Sequence, residues 1–267
     1  MPTPTFTLKR DTIDSRDFKF ISTIMQLPRE INYGYDMSPI KDQGDLGSCV
    51  GFAVAAMKEW QEKKEHELEI TEGKTYRRKE KYYDLSEQWI YYNCKKIDEW
   101  PNEEGTDIRS AMKVLHKIGV PTETAWPYSD IVVGEAKDWG QLIARWALIK
   151  SYKRIRNLAE LKASLSSNGP LIIGVPCFRE FLNPGSTGMI SYPRNPNNML
   201  GGHAVCVIGY NDAGQFVKFK NSWGSGWGKN GYGKLPYRYI NDFLWDAWAA
   251  EDVRVTPEML KGTRTLT

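Results

Sequence analysis

The sequence lacks the marks of several classes of protein. No apolar run approaches the roughly 20 residues of a transmembrane helix, and residues 1–18 contain no apolar stretch like that of a secretory signal peptide. Lys and Arg (36) nearly balance Asp and Glu (33), and a net charge of +3 does not indicate a protein that binds nucleic acid or a membrane surface. We therefore expect a cytoplasmic protein without nucleic-acid or membrane partners.

Cysteine and histidine are scarce. The four cysteines, Cys49, Cys94, Cys177 and Cys206, form no closely spaced pair, which argues against a zinc site or a redox dithiol. We expect the last three to be inert thiols, with Cys206 facing away from His203 on the same predicted strand. There are only three histidines, so the choice of a catalytic histidine is narrow.

What is present is an ordinary globular composition in a chain of 267 residues, with 41% hydrophobic and 26% charged residues. This length suits one large domain or two lobes that share a cleft. The patterns predict helices from Ser48, from Ser86, over 107–118 and over 158–165, and strands over 170–175, 203–210 and 216–220. Because helices dominate the first half and strands the second, we predict an α+β fold with two lobes.

A run of mixed charge extends from Lys58 to Lys81. We expect a solvated helix end followed by a surface excursion, because such runs are most often solvated. Within the run, residues 68–76 alternate around Glu72 and Gly73, and this pattern predicts a small hairpin.

Cys49 is the candidate nucleophile. It follows Gly47 and Ser48 at the start of a predicted helix, where the positive end of the helix dipole favours a thiolate. The alternative is a small buried residue at a helix start, which is the ordinary role of a lone cysteine. A nucleophilic thiol also needs a base, a group that orients the base, and donors to the developing oxyanion.

Of the three histidines, His203 is the best candidate for that base. His66 lies in a charged run, and His116 lies near the end of an amphipathic helix, where it would balance the helix dipole. His203 instead opens a β segment after two glycines, so its ring would project from a strand end. Asn221 lies 18 residues later, at the end of the next predicted strand, and its side-chain carbonyl could orient the imidazole.

Several segments resemble those of the papain family of cysteine proteases. QGDLGSCVGFA, around Cys49, is similar to the family's nucleophile segment, and GHAV, around His203, is similar to its histidine segment. NSWGSGWGKNGY, from Asn221, matches the asparagine segment almost completely, and LSEQ, ending at Gln88, resembles a structural motif of the helical lobe. The residues follow the family's order Cys, His, Asn, and the likeness extends over roughly residues 27–250.

The resemblance implies a papain-like two-lobe fold, with a helical left lobe, an antiparallel β-barrel-like right lobe and the active-site cleft between them. It also implies a cysteine-type peptidase, in the first instance an endopeptidase, that forms a thioester acyl-enzyme on Cys49. His203 would protonate the leaving amine, and Asn221 would orient His203. Gln43 and the backbone N–H of Cys49 would form the oxyanion hole. No metal or organic cofactor is needed for this chemistry.

The same resemblance implies the residues that bind substrate. Trp223 would cover the hydrogen bond between the imidazole and the amide, and Trp227 would help to form the wall on the leaving-group side. Gly105, Gly174 and Ala204 would line the second substrate pocket, where the small Gly174 leaves room for a bulky apolar side chain. The implied partners are a polypeptide substrate and a proteinaceous cysteine-protease inhibitor.

Two departures from the family pattern lie next to the nucleophile. Leu46 stands where family members commonly have a cysteine, and Val50 stands where they commonly have an aromatic residue. No cysteine lies near Gly105 either, so both halves of a common disulfide are missing, which fits a reducing compartment.

On this basis we divide the chain into an N-terminal arm that packs on the β lobe (1–36), a helical lobe with the nucleophile (37–143), a β lobe with His and Asn (144–250) and a C-terminal tail (251–267). We expect residues 1–26 to be too short for the helical inhibitory propeptide with which family members are usually made. They would form a structural strap on the β lobe, with a short plug over the cleft as the alternative.

Three other functions stay open. The same thiol chemistry would serve an acyl transferase or peptide ligase. A non-catalytic papain-like binding module is disfavoured, because Gln43, Cys49, His203 and Asn221 are all present. An exopeptidase would need a chain-end clamp, which the sequence does not reveal.

Overall fold

The computed structural model describes residues 5–22, 26–71, 83–130 and 137–252. One layer of the molecule is helical. Its helices are α1 (Cys49–Thr71), α2 (Glu87–Lys95) and α3 (Ile108–Lys117). The Ser86 hydroxyl caps α2 by accepting the N–H of Trp89 at 3.1 Å, and the Asp107 carboxylate caps α3 by accepting the N–H of Ser110 at 2.8 Å. α3 ends before Gly119, whose φ of +75° is typical of a helix end. The three helices begin where the sequence predicts.

The second layer is an antiparallel sheet. Its strands are β1 (Glu30–Asn32), β2 (Ile149–Arg154), β3 (Leu171–Cys177), β4 (Gly201–Asn211), β5 (Phe216–Lys220), β6 (Tyr232–Pro236) and β7 (Asp246–Asp252). The strand order is β2-β7-β3-β4-β5-β6. β1 pairs with the last three residues of β4, which lie beyond the part of β4 that pairs with β3. The predicted α+β class is confirmed. The sheet is not closed, however, because the outer strands β2 and β6 do not pair with each other, so the barrel-like form was not correct.

The second half of the chain contains more helix than the sequence predicts. The additional helices are α4 (Gly140–Ala144), α6 (Arg179–Leu182) and α7 (Tyr237–Phe243), beside the predicted α5 (Leu158–Asn168). Each of the three unpredicted helices is at most seven residues long. So short a segment spans too few turns for an apolar periodicity to stand out. Two short 3₁₀ turns also occur, at Gly34–Asp36 and Glu123–Ala125.

The sheet is buried on both faces. Cys206 and Ile208 of β4 pack with α1 in one apolar cluster, whereas Val205 and Val207 lie in a second cluster on the opposite face. Cys206 therefore faces away from the side of β4 that His203 occupies, as predicted. All four cysteines are buried and free. No helix in the described parts of the chain is long and apolar enough to cross a membrane.

The prediction that the charged run from Lys58 to Lys81 is solvated was wrong for its first turns. α1 continues to Thr71, and Lys58 within it is only 1% exposed. The Lys58 ammonium lies 2.9 Å from carboxylate oxygens of both Glu62 and Asp252, so its buried charge is paired. The first turns of the run are buried because α1 packs against the sheet, mainly against β4. Residues 68–71 of the predicted hairpin are helical, and the rest of it lies outside the described residues.

The N-terminal segment 5–22 touches both layers. The Phe20 N–H donates to the Arg154 carbonyl at 2.9 Å, and the Arg154 N–H donates to the Phe18 carbonyl at 2.7 Å, which adds this part of the arm to the edge of β2. Further towards the N-terminus, the Lys9 N–H donates to the carbonyl of Thr106, just before α3. The four domain boundaries stay a prediction, and residues 253–267 of the predicted tail lie outside the described residues.

Candidate active site

The candidate catalytic side chains come from three elements whose ends meet. Cys49 is the first residue of α1, His203 lies at the beginning of β4, and Asn221 directly follows β5. The backbone N–H of Ala204, the residue after His203, hydrogen-bonds to the Cys49 sulfur. The packing of α1 against β4 therefore places the thiol next to the histidine segment, although the two residues are far apart in sequence.

His203 is held by a hydrogen bond under an aromatic ring. Its Nε2 lies 2.8 Å from Oδ1 of Asn221, and since that oxygen can only accept, Nε2 carries the proton. The Trp223 indole lies over the imidazole with a centroid distance of 4.5 Å. Nδ1 is buried and has no hydrogen-bond partner among the described residues. It is thus the nitrogen left to exchange a proton with a thiol.

Gln43 is held at both ends of its amide. Its Oε1 accepts from the Ser222 hydroxyl at 2.6 Å, and its Nε2 donates to the Leu46 carbonyl at 3.0 Å. A primary amide has two N–H donors, so one remains for a ligand oxygen. The Tyr128 hydroxyl further fixes this loop by donating to the Gln43 carbonyl at 2.7 Å. Sequence reasoning missed Ser222 and Tyr128; Ser222 lies within a recognised motif, whereas nothing in the sequence marks Tyr128.

The site is closed to solvent, and this reverses the charge state expected for the thiol. Cys49 and His203 are both 0% exposed. Burial raises the pKa of Cys49 to about 11, although three backbone N–H groups hydrogen-bond to the sulfur and favour the thiolate. Burial likewise lowers the pKa of His203 to about 4, against the effect of its Asn221 hydrogen bond. A helix dipole is worth only about 0.3–1 kcal/mol at an accessible site, less than the cost of desolvation here.

A pocket for a side chain lies between the two layers. Gly174 of β3 and Ala204 of β4 are directly opposite each other in the strand register, and Ile108 of α3 faces them from the helical side. A Cβ atom at Gly174 would lie 2.7 Å from Cδ2 of Leu8, closer than van der Waals contact allows. The pocket is therefore occupied by Leu8, which is 5% exposed.

The remaining predicted binding residues belong to different layers of the molecule. The Trp227 indole packs edge-on against Trp223 at 5.4 Å and donates its N–H to the Phe181 carbonyl at 3.0 Å. Gly105 lies at the opposite, helical side, with a φ of +82° and the Thr7 carbonyl directly against it. A side chain at Gly105 would collide with that carbonyl, so glycine allows the two backbones to approach.

A buried charge network lies behind the site and was missed by sequence reasoning. The Lys41 ammonium contacts the carboxylates of Glu59 at 3.1 Å and Glu87 at 2.5 Å. Lys220, which precedes Asn221, donates to the Ser38 hydroxyl at 2.7 Å. Burial raises the pKa of Glu87 to about 8, despite the nearby lysine. Through Lys220 the network supports the segment that carries Asn221. No sequence motif marks the network, because its charged residues meet only in the folded chain.

Comparisons with known proteins give the same result as the geometry. Residues 27–242 match the model of a family described as papain family cysteine protease. An uncharacterised peptidase C1-like protein of Acanthamoeba polyphaga mimivirus is 30% identical over 88% of this chain and 76% of its own length. Cysteine proteinase 3 of Entamoeba histolytica is 26% identical over 79% of this chain and 63% of its own length. The crystal structure of xylellain, a cysteine protease from Xylella fastidiosa, has a TM-score of 0.80 at 29% identity and covers 93% of this chain and 96% of its own.

Proposed function

The chain belongs to the papain family of cysteine proteases and is a cysteine peptidase, and we propose that it is an endopeptidase that forms a thioester on Cys49. The observation that carries the assignment of residues is the 2.8 Å hydrogen bond between His203 and Asn221 under Trp223, together with the hydrogen bond from the backbone N–H of the next residue, Ala204, to the Cys49 sulfur. This arrangement orients one imidazole nitrogen and leaves the other for the sulfur.

The proposed reaction follows from these contacts. Nδ1 of His203 takes the proton of Cys49, and the thiolate forms a C–S bond to the scissile carbonyl carbon while the C=O electron pair moves onto oxygen. The Cys49 N–H and the free N–H of Gln43 donate to this oxyanion. As the C–N bond breaks, the imidazolium gives its proton to the leaving amine. Water then attacks the thioester, His203 takes the proton of the water, and the sulfur leaves as thiolate.

Cleavage within a chain is favoured because the cleft accepts an internal segment of polypeptide. Residues 6–9 cross it, from the Phe6 ring against Trp223 to the Lys9 ammonium, which pairs with Glu103. On the C-terminal side of Lys9 the arm continues through the described residues 10–22. An endopeptidase has to accept polypeptide on both sides of the scissile bond, whereas an exopeptidase has to close one end of its cleft.

The test is turnover of an internally quenched peptide with both termini blocked. We expect Cys49→Ala and His203→Ala to abolish turnover, and Asn221→Ala to lower it by about 10²-fold, since general acid–base catalysis contributes roughly 10²–10⁴-fold. Cys94→Ala is the matched control and should retain activity, because Cys94 is a buried thiol of α2 that takes no part in the proposed reaction. Each variant is made in the unaltered chain and with Leu8→Asp, because Leu8 fills the cleft.

The outcomes separate the other candidate functions. Hydrolysis that persists in Cys49→Ala would contradict the proposed nucleophile, and cleavage only of peptides with a free terminus would indicate an exopeptidase. A dominant aminolysis product with an added amine would indicate a ligase. Failure of a peptidyl epoxide to label Cys49 in the Leu8→Asp chain would indicate a binding module. A proteinaceous inhibitor as partner and a cytoplasmic location stay parts of the proposal.

A further inference from the structure

A cavity of about 440 Å³ lies beside β1, β5 and β6. Its lining includes three lysines, Lys218 of β5, Lys229 of the connection to β6 and Lys234 of β6, and the rings of Tyr35 and Phe216. None of the residues assigned to the candidate active site lines it. A volume of this size suits a small organic molecule. We call this space the lysine cavity.

Two of these lysines face each other within the sheet. Lys218 is directly opposite Lys234 in the register of β5 and β6, so both side chains lie on one face of the sheet. Like charges at directly opposite positions destabilise a pair of strands. The Lys218 ammonium donates to the side-chain carbonyl of Asn32 in β1 at 3.1 Å, but this partner is neutral. The fold therefore concentrates positive charge in the cavity although the charges repel each other.

The three lysines form no ion pair with a carboxylate of the described residues. Glu30 also lines the cavity, and its charge favours the ammonium form of Lys218. Burial and the ammonium groups of Lys234 and Lys229 have the larger effect, and they lower the pKa of Lys218. The buried Lys58, by contrast, is paired with two carboxylates. A bound anion would give the lysine cavity the counter-charge that Lys58 already has.

Aromatic rings lie beside two of the ammonium groups. The Lys234 ammonium is 4.8 Å from the centroid of the Phe216 ring, and the Lys218 ammonium is 5.1 Å from that of Tyr232. Tyr35 also lines the cavity and is 95% exposed, so its ring is accessible to a ligand. The cavity thus combines positive charge with aromatic surface, and this combination matches a ligand that carries both an anionic group and a flat ring.

A phosphate group fits these charges better than a carboxylate does. Near pH 7 a phosphate monoester has a charge of about −1.5 to −2 and three acceptor oxygens, so it can pair with both Lys218 and Lys234. A carboxylate has a single charge and would leave one ammonium group without a counter-charge. Lysine binds phosphate as a point charge, so the pairing does not require the fixed geometry that an arginine would impose.

We propose that the lysine cavity binds a small aromatic phosphate ester, such as a nucleoside monophosphate or an aryl phosphate, with its phosphate between Lys218 and Lys234 and its ring against Tyr35. The bound phosphate removes the repulsion between the two ammonium groups, so the ligand stabilises the folded chain. Because the cavity shares no residue with the candidate active site, this inference goes beyond the proposed peptidase and does not depend on it.

The first experiment measures binding to the full chain by isothermal titration calorimetry. The probes are adenosine monophosphate, phenyl phosphate, adenosine and inorganic phosphate. We expect the esters to bind more tightly than inorganic phosphate, and adenosine not to bind, because only the esters carry both groups. Binding of both esters, or of one of them, supports the proposal and identifies the source of the phosphate as a nucleoside or an aryl ester.

Three results of this titration would overturn the proposal. Adenosine that binds as tightly as its monophosphate would contradict the role of the lysines. Inorganic phosphate that binds as tightly as the esters would contradict the role of the rings. Binding of heparin, a sulfated polysaccharide, without binding of either ester would indicate a surface for a polyanion and not a cavity for a small ligand.

Substitutions locate the site. Lys218→Met and Lys234→Met remove one charge each and keep a long side chain. Each should weaken the binding of adenosine monophosphate by about 10- to 100-fold, since hydrogen bonds to charged groups are the strong ones. Lys153→Met is the matched control, because Lys153 is also a partly buried strand lysine but does not line the cavity. An equal affinity in all three variants would place the ligand elsewhere and overturn the proposal.

The melting temperature without ligand separates a binding role from a structural one. If Lys218 served only to hold Asn32, Lys218→Met would melt below Lys153→Met. We expect it to melt above, because the substitution removes a charge that burial and Lys234 disfavour, and a lower melting temperature would contradict the proposal. Should Lys218→Met not fold, Lys229→Ala changes an exposed residue of the same cavity. It should weaken binding several-fold, and an unchanged affinity would overturn the proposal.

Discussion

The two halves of the N-terminal arm are held by different forces. The cleft segment, residues 5–9, relies on the apolar contacts of Leu8 and Phe6 and on two main-chain hydrogen bonds. The anchor segment, residues 11–20, relies on the ion pairs of its aspartates with Arg109, which is buried, and Arg154, which is partly buried. Because the two sets of contacts share no side chain, the segment over the active site and the tether that holds it are separable. Variants in each half should therefore give different phenotypes.

Breaking the anchor has the largest expected effect. Arg154 contacts the carboxylates of Asp11, Asp17 and Asp246, and Arg154→Ala would leave buried acidic groups without their partner. We expect the free energy of unfolding to fall by about 3–5 kcal/mol, measured by chemical denaturation. Arg156→Ala is the control, since Arg156 pairs with Glu160 at the surface, and it should leave stability unchanged. Equal stability of the two variants would show that the anchor does not hold the arm.

The pH dependence of the alkylation of Cys49 by iodoacetamide tests the cleft segment. Because burial raises the pKa of Cys49 to about 11, the thiolate fraction of the closed chain at pH 7 is very small. It grows with rising pH, so the alkylation rate of the unaltered chain should increase about tenfold per pH unit between pH 7 and pH 10. In Leu8→Asp, where water reaches the pair, the profile should level off at lower pH. A plateau near neutral pH in the unaltered chain would contradict a desolvated thiol.

A glycine substitution tests the close approach of the arm backbone. Gly105 and Gly185 both have positive φ, of +82° and +68°, but only Gly105 has the Thr7 carbonyl against it, while nothing lies within 4 Å of a Cβ at Gly185. Changing either to alanine costs roughly 1–2 kcal/mol in backbone strain. Gly105→Ala should also displace residues 5–9 and raise the alkylation rate of Cys49 several-fold, whereas Gly185→Ala should leave it unchanged. Equal alkylation rates would mean that the contact with Thr7 does not hold the segment.

The smallest effect is expected at the exposed end of the cleft segment. Lys9 pairs with Glu103, and their side chains are 25% and 60% exposed. Such pairs contribute about 0–1 kcal/mol, so Lys9→Ala should change the alkylation rate of Cys49 by less than about fivefold. A change as large as that of Leu8→Asp would show that charge, and not apolar burial, holds the segment in the cleft.

Local signals in the sequence were enough to predict the helix starts and the three segments that form the candidate site. Ser86 and Asp107 cap helices where the pattern predicts, and the segments around Cys49, His203 and Asn221 are brought together as the papain-like order implies. Capping and strand alternation depend on neighbouring residues, so they can be read from a short stretch of chain. The roles of these residues in catalysis stay a proposal.

Charges and short elements were harder to predict for a physical reason. Lys58 and Glu59 look like solvated residues of a surface helix, yet both are 1% exposed, because Asp252 and Lys41 reach them from distant parts of the chain. Whether a charge is buried depends on the partner that folding brings to it, and that partner does not lie in the local pattern. The short helices of the second half were missed because so few turns leave no periodic signal.

The sequence by itself determined the family, the α+β class and the residues that assemble around the thiol, because these depend on motifs and on the periodicity of neighbouring residues. Only the tertiary structure decided which part of the chain packs over these residues, namely the N-terminal arm. Leu8 meets Gly174, and Asp11 meets Arg154, across more than 140 residues of chain. Such contacts depend on the shape of the cleft that two layers form when they pack, and this shape also removes water from Cys49 and His203 and sets their charge.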